Sequence, residues 1–313
     1  MSARFGERSI STVSLARADG PALAASRPRA AAPDASTALL VLPASALVGV
    51  VVLPLAALVL HALADGDVLG KLSSPIVRQA LRVTATSTAL SLLVVLLTGT
   101  PLAYALARRS FPGRRLVDLA VNLPLVLPPV VAGVALLLAF GRQGVVGSRL
   151  LGLGVEISFT LAAVVLAQVF VAGPFYVRGA VVGFAALDPL VEEAAAVDGA
   201  SAWACFRHVA LPIAGPGIAS GVVLCLGRAL SEFGATLLFA GSFAGRTQTM
   251  SLAIVQAMET DLDAAIALAV LLVGLSVLLL VLAGVAERYR SRVRGTPGGE
   301  AGCAALLGPG GRI

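Results

Sequence analysis

Uncharged apolar windows recur along the chain, separated by short segments that carry the charged residues. Six of these windows reach or approach about 20 residues, the length of helix that crosses a hydrocarbon layer of about 30 Å. The windows cover residues 35–64, 83–107, 119–141, 157–177, 213–240 and 264–286, and charges make only the fifth ambiguous. The apolar run at 271–282 lacks the alternation of period two that would mark transmembrane strands. The pattern therefore predicts an all-α, polytopic membrane helix bundle of about six transmembrane helices.

The two ends of the chain differ from the middle in composition. Hydrophobic residues make up 58% of the sequence and charged residues 13%, against about 45–50% and about 25% in soluble domains. Residues 1–36 are rich in Ala, Arg and Ser, and residues 291–313 include a Gly-rich end, so both are predicted to be disordered cytoplasmic tails. The apolar stretch after residue 36 is about twice as long as a cleavable signal core, which favours a retained first helix. The membrane domain is therefore predicted to cover residues 37–290.

Basic residues are distributed unevenly between the two sides of the predicted bundle. If both termini are inside, the inner segments hold sixteen of the 23 Lys and Arg residues and the outer segments hold six, with Arg228 inside the fifth window. Arg78 and Arg82 lie in the first outer segment and argue mildly for the opposite orientation. Since basic residues gather on the cytoplasmic side, the count predicts that both termini are cytoplasmic. The same bias accounts for most of the net charge of +6 without a nucleic-acid partner.

The sequence lacks the residue clusters that membrane enzymes use. Its two histidines, His61 and His208, stand alone, and its three cysteines have neither metal-site spacing nor a shared compartment for a disulfide. The single lysine, Lys71, lacks the glycine-rich loop that cradles nucleotide phosphates. We therefore expect no catalytic residue, no metal site and no cofactor of its own in this chain.

The inner segment 186–217 is predicted to form two short helices. Asp188 is a good N-cap for the first helix, Gly199 supplies the permissive backbone that ends it, and Ser201 caps the second. Trp203 and Phe206 follow three residues apart, which places them on one side of the second helix. The segment is therefore expected to present an aromatic face at the cytoplasmic surface, where exposed aromatics indicate a partner or a lipid boundary.

The same segment resembles the signature loop of bacterial ABC importer permeases. It contains Glu-Ala-Ala from Glu193, then Gly199 after three residues, Val209 after nine more, and Leu-Pro from Leu211, with Val209 in place of the usual Ile. Glu-Ala-Ala alone would carry no information in so Ala-rich a chain, whereas the full spacing in an inner loop does. The resemblance implies that this loop, 186–212, forms the coupling helix that docks on a separate ATPase subunit. Its coupling residues would be Glu193, Ala194, Ala195, Gly199, Trp203, Phe206, Leu211 and Pro212.

Three further runs are similar to those of molybdate permeases, with sulfate and tungstate permeases close behind. They read LPLVLPPVV at 123–131, RALSEFGATLLFAG at 228–241 and GRTQTMSLAI at 245–254, and the resemblance covers residues 70–286. The GRTQT run favours molybdate. The resemblance implies a type I ABC importer permease in the bacterial plasma membrane, assembled as a homodimer with its path along the two-fold axis. It also implies ATPase subunits that bind ATP and Mg, an extracytoplasmic oxyanion-binding protein, and an alternating-access cycle.

Hydroxyl side chains on the second window are candidate pathway residues. Thr84, Thr88, Ser91 and Thr98 fall on one helical stripe. Hydroxyls can donate hydrogen bonds to a dehydrated anion without trapping it as an arginine would. The alternative is that these groups bond to their own backbone or pack against a neighbouring helix, as Ser and Thr more often do in membranes.

Charges and bends inside the windows are the other pathway candidates. Arg228 and Glu232 lie four residues apart on one face, and charges within a span are functional candidates by default. A structural ion pair is the alternative, because a carboxylate is a poor neighbour for a dianion. Although prolines kink many membrane helices, bends or close approaches near the path are predicted at Asn122, Pro128, Pro129, Gly173 and Pro174.

Two other classes of protein are alternatives to an ATP-driven permease. An ion-coupled secondary transporter usually shows internal repeats and broken helices, which the sequence does not indicate, and it has no use for a docking loop. A membrane scaffold would not couple to ATP hydrolysis. The docking loop therefore favours the permease of an ATP-driven importer, surrounded by membrane lipid, with molybdate as the cargo and tungstate or sulfate as alternatives.

Overall fold

The structure, a computed structural model, describes residues 35–64, 70 and 74–293. All regular structure in these ranges is helical, which confirms the predicted all-α class. Of the two predicted tails, residues 1–34 and 294–313 lie outside the described residues, so their disorder stays a prediction. The helices at either end extend two and three residues into the segments predicted as tails.

Most of the described chain is in helices, which we number in chain order. They are α1 (Ala35–Ala64), α2 (Pro75–Arg108), α3 (Arg114–Val126), α4 (Pro129–Phe140), α5 (Gly147–Gly152), α6 (Leu161–Ala185), α7 (Pro189–Val197), α8 (Ala202–Cys205), a π-helical turn (Phe206–Ala210), α9 (Leu211–Ile213), α10 (Gly215–Leu230), α11 (Gly234–Ala240), α12 (Met250–Thr260) and α13 (Leu262–Val293).

Four of the described helices, α1, α2, α6 and α13, are long and apolar enough to cross a membrane by themselves. A fifth span is possible where α8 to α9 continue into α10, but this pair is bent by 70°. The third window, 119–141, is not one helix: α3 ends at Val126 and α4 begins at Pro129. The fifth window, 213–240, is broken between Leu230 and Gly234. The expectation of unbroken helices is therefore wrong for these two windows.

The two breaks have different local causes. At the first, consecutive prolines at 128 and 129 remove two backbone N–H donors and hold Leu127 in an extended conformation, which stops a helix. At the second there is no proline, and the residues from Ser231 to Phe233 leave the helical conformation. Broken helices therefore cannot by themselves distinguish a secondary transporter from other classes.

The chain divides into two compact units within α1, after Leu55. In the second unit, α6 lies between α2 and α10 and packs against both. The largest cluster of buried side chains on these helices centres on Tyr176 and Phe184 of α6. A second cluster joins α4, α6 and α11, and a third joins α2, α12 and α13.

A glycine seam brings α6 and α10 into backbone contact. It consists of Gly179 and Gly183 on α6 and Gly217 and Gly221 on α10. A Cβ added to Gly217 would lie 2.4 Å from the Cα of Gly183, and one added to Gly179 would lie 2.6 Å from the Cα of Gly221. Small residues at such positions are how membrane helices gain close van der Waals packing. The seam therefore fixes the helices that flank the inner loop at 186–214.

Candidate functional site

The first helix of the predicted coupling loop, α7, is capped at both ends by local interactions. The Asp188 carboxylate accepts a hydrogen bond from the Leu190 N–H at 3.0 Å, and Pro189 occupies the first helical position. At the other end, Gly199 has φ +86°, which lets the Ala200 N–H turn back to the helix carbonyls. The predicted end of the helix at Gly199 is therefore confirmed.

The signature residues of α7 lie at or near the surface of the described part of the chain. Glu193 and Ala194 are exposed, and Ala195 is half-buried. Within the described residues, the Glu193 carboxylate bonds to no other group. A Cβ added to Gly199 would meet no described atom within 4 Å. This end of α7 is therefore an open surface on which a partner could dock.

The second helix of the loop begins as predicted, because the Ser201 hydroxyl accepts a hydrogen bond from the Ala204 N–H at 3.2 Å. Trp203 is exposed over 66% of its surface. Phe206, in contrast, is half-buried and packs inward. Its ring centroid lies 5.0 Å from that of Tyr104 and 6.1 Å from that of Phe184.

The expectation of an aromatic face formed by both side chains is therefore wrong in one respect. Positions three apart on a helix differ by about 60° in direction, and the cluster around Phe184 draws Phe206 inward while Trp203 stays outside and stacks on it at 5.5 Å. Leu211 is half-buried against the same cluster, and Pro212 is exposed. The roles of these residues in coupling stay predictions.

Sequence reasoning missed the ion pair that holds α7 in place. The Glu192 carboxylate accepts hydrogen bonds from Nε and Nη2 of Arg108, at 3.0 and 2.5 Å, and from the Tyr104 hydroxyl at 3.0 Å. Nη1 of Arg108 also donates to the Leu187 carbonyl at 3.0 Å. We call Tyr104, Arg108 and Glu192 the anchor. No sequence signal joins its members, since Glu192 is 84 positions beyond Arg108.

The hydroxyl stripe on α2 is largely engaged with backbone groups. Thr84 accepts a hydrogen bond from the Met250 N–H at 2.8 Å, at the start of α12. Ser91 donates to the Thr88 carbonyl at 3.0 Å, and Thr98 donates to a carbonyl of its own helix at 2.7 Å. Thr84, Thr88 and Ser91 are buried, whereas Thr98 is exposed. These contacts favour the structural alternative, and the pathway role stays a prediction.

Arg228 and Glu232 form an ion pair across the break between α10 and α11. Nη2 of Arg228 lies 2.7 Å from the Glu232 carboxylate, whose side chain is only 1% exposed. The other carboxylate oxygen accepts a hydrogen bond from the Ala235 N–H at 2.8 Å, in the first turn of α11. Glu232 therefore pairs with the end of one helix and caps the start of the next, which supports the structural alternative for this pair.

The two helix breaks lie next to each other. A Cβ added to Gly234 would come within 2.7 Å of the Pro129 side chain, and one added to Gly133 would come within 3.0 Å of the Ala235 Cα. The predicted close approach at Pro128 and Pro129 is therefore a contact between α4 and α11.

The remaining predicted bends fall in two places. Asn122 accepts a hydrogen bond from Arg178, and Arg178 also pairs with Asp118 at 3.3 Å, so these residues join α3 to α6. Gly173 and Pro174 are buried within α6, which continues past them without a break. No described contact assigns either group to a substrate path.

Apolar helices long enough to span a membrane, joined by an exposed two-helix loop, are the class of architecture found in membrane transport proteins. Over residues 99–294 the sequence matches the family of binding-protein-dependent transport system inner membrane components, and the chain belongs to that family. It is therefore a multi-pass inner membrane protein and the permease of a binding-protein-dependent ABC importer. The prediction that the chain is not itself an enzyme is confirmed by this membership.

The chain is also similar to individual proteins of known or assigned cargo. The molybdenum transport system permease protein of Mycobacterium tuberculosis is 42% identical over 217 residues, which are 69% of this chain and 81% of that protein. The sulfate transport system permease protein of Escherichia coli is 34% identical over 234 residues, 74% of this chain and 84% of that protein. A solved bacterial alginate ABC transporter has the same fold, with a TM-score of 0.64 at 21% identity, over 84% of this chain and 95% of its own.

Proposed function

We propose that this permease imports molybdate, that it works as a homodimer, and that separate ATPase subunits drive it by binding ATP and Mg. The single observation that carries the coupling proposal is the exposed turn of α7 at Gly199, beside a Glu193 carboxylate with no partner among the described residues. The choice of molybdate is supported by the relatives, since the molybdenum permease is 42% identical and the sulfate permease 34%. Tungstate and sulfate are the alternative cargoes.

The proposed cycle uses this chain as a gated conduit. An extracytoplasmic binding protein would select the oxyanion and deliver it to the outer side. Closure of the ATPase dimer on ATP would move the docked α7 and α8 helices and switch the path between inward-facing and outward-facing states. The family membership supports an ATP-driven importer over an ion-coupled secondary transporter, because a loop that docks on an ATPase has no part in an ion-coupled cycle.

Cargo and energy source are tested together in proteoliposomes. The permease would be purified with the ATPase that co-purifies with it and supplied with its binding protein. ATP hydrolysis is expected to rise when that binding protein is loaded with molybdate and to rise less, or not at all, with sulfate. Molybdate uptake should follow the same order. Stimulation by sulfate alone would contradict the proposed cargo, and ATP-independent uptake would contradict the proposed class of transporter.

The proposed orientation places both termini and α7 in the cytoplasm. Single cysteines in an otherwise cysteine-free permease test it at Val197, at the end of α7, and at Leu153, after α5, which are 88% and 79% exposed. In intact spheroplasts, an impermeant thiol reagent is expected to label Leu153→Cys and to spare Val197→Cys until the membrane is permeabilised. The opposite labelling would reverse the topology.

A further inference from the structure

The last turns of α2 contact the coupling loop at α7 and at the π-helical turn that follows α8. Tyr104 and Arg108 lie four residues apart, on one face of α2. Both reach α7 through the Glu192 carboxylate, and Tyr104 also packs edge-on against Phe206, which follows α8. A movement of α7 or of the segment that follows α8 would therefore displace the same end of α2. This helix is long enough to span the membrane.

We infer that Arg108 is a positioning residue for energy coupling: it transmits the movement of the docked loop into α2 through the anchor. The inference rests on the proposed docking of the loop on an ATPase. It goes further, because it assigns a task to a residue outside the loop and names the helix that receives the movement.

The geometry at Arg108 is that of a rigid connection. Its planar guanidinium holds the Glu192 carboxylate with two nitrogens and the Leu187 carbonyl with the third. The side chains of Arg108 and Glu192 are only 12% and 21% exposed, so water screens the pair weakly. A lysine ammonium has no fixed fork and cannot keep all three contacts in one geometry. The connection therefore depends on an arginine, and a positive charge alone would not replace it.

Two adjacent carboxylates on α7 have different surroundings. Glu192 bonds to Tyr104 and Arg108, whereas Glu193 is exposed and, within the described part of the chain, has no bonding partner. Successive helical residues differ by about 100° in direction, so one turn of α7 can face a partner and its own bundle at once. Force applied by a partner at Glu193 would therefore reach α2 through Glu192.

Variants of Arg108 and Glu192 would test this role in the complete transporter in proteoliposomes. Glu192→Gln keeps the shape of the side chain and removes its charge, and Arg108→Lys keeps the charge and removes the fork. For both variants we expect the ATPase subunits to stay bound to the permease and their basal ATP hydrolysis to be unchanged. The amount of oxyanion imported per ATP hydrolysed is expected to fall about tenfold, within the usual range of coupling between two sites.

The matched control is a second Arg–Glu pair in the same chain. Arg142 and Glu156 pair on the outer side, with side chains 62% and 35% exposed, and Glu156→Gln should leave the transport ratio unchanged. The exchange of charges, Arg108→Glu with Glu192→Arg, rebuilds a pair in reverse and should restore part of the ratio.

The outcomes separate this inference from the function on which it rests. A wild-type complex without stimulation by its loaded binding protein would refute the proposed function itself. If the wild type couples and both anchor variants import the same amount per ATP, the inference about Arg108 is wrong. It is also wrong if uptake falls only in proportion to the permease recovered from the membrane, because Arg108 would then serve the fold alone. Failure of the exchanged pair to restore any coupling would likewise overturn it.

Discussion

Replacing Gly199 by valine is expected to abolish oxyanion uptake while the permease remains inserted and dimeric. The residue has φ +86°, where a branched side chain costs on the order of 1–2 kcal/mol. An added Cβ meets no described atom within 4 Å, so we expect no further steric cost to the fold at that atom. In the proposed complex, the added methyl groups would instead crowd an ATPase surface docked on the turn. Uptake and the ATPase that co-purifies with the permease are the measurements.

Two other changes on the same surface should act in the same direction. Glu193→Lys reverses the charge of the exposed carboxylate and is expected to weaken ATPase association and abolish uptake. Trp203→Ala removes an exposed aromatic side chain and should reduce both less severely. Neither residue contributes to the buried clusters of the bundle, so insertion should be unchanged.

The control for Gly199 is Gly154, a glycine with a similar backbone conformation in the segment after α5, which the proposed orientation places outside the cell. Gly154 has φ +81°, and a Cβ added there also meets no described atom within 4 Å. Gly154→Val therefore carries a similar local cost and should leave ATPase association unchanged. Normal transport by Gly199→Val would contradict the docking proposal, and so would loss of function that arises only because the protein no longer reaches the membrane.

Removing one member of the Arg228–Glu232 pair is expected to cost roughly 3–5 kcal/mol, because the other charge is left without its partner in a largely buried site. Arg228→Leu and Glu232→Leu should each reduce the amount of folded permease. The double leucine variant should recover only in part, since it also removes the cap on the Ala235 N–H. Capping groups contribute about 0.5–2 kcal/mol.

A further variant separates the two roles of Glu232, which are the ion pair with Arg228 and the cap on the Ala235 N–H. Arg228→Leu with Glu232→Gln removes both charges but keeps an oxygen that can accept from Ala235, so it should recover expression best. Yield of monodisperse protein and uptake would be measured together. Full expression of Arg228→Leu with selective loss of uptake would contradict the structural role and indicate contact with the substrate. Arg142→Leu, in an exposed pair, should change neither quantity.

The elements that sequence predicted well are those specified by neighbouring residues. Asp188 and Ser201 cap the two loop helices, and Gly199 ends the first, because each signal acts within three or four positions. The long apolar windows became α1, α2, α6 and α13 for the same reason, since length and composition alone decide whether a helix can span a membrane.

Two elements were not predicted from the sequence, for different reasons. At Ser231 the contacts are local, since Glu232 caps α11 at the Ala235 N–H and pairs with Arg228, but two opposite charges four residues apart fit a continuous helix equally well. The inward direction of Phe206 depends on Phe184 and Tyr104, which belong to two other helices. A pattern of apolar residues reports only hydrophobicity. It therefore does not reveal a helix break in which side chains bond to the free backbone groups.

The glycine seam determines which parts of the bundle can move independently. Its last members, Gly183 and Gly217, lie at the base of the coupling loop, and a Cβ on Gly183 would also approach the Ala214 carbonyl to 2.6 Å. Backbones in such close contact cannot slide or tilt against each other without steric clashes. We therefore expect α6 and α10 to move as one rigid body. A push on the loop would then displace α6 and α10 together, as one unit.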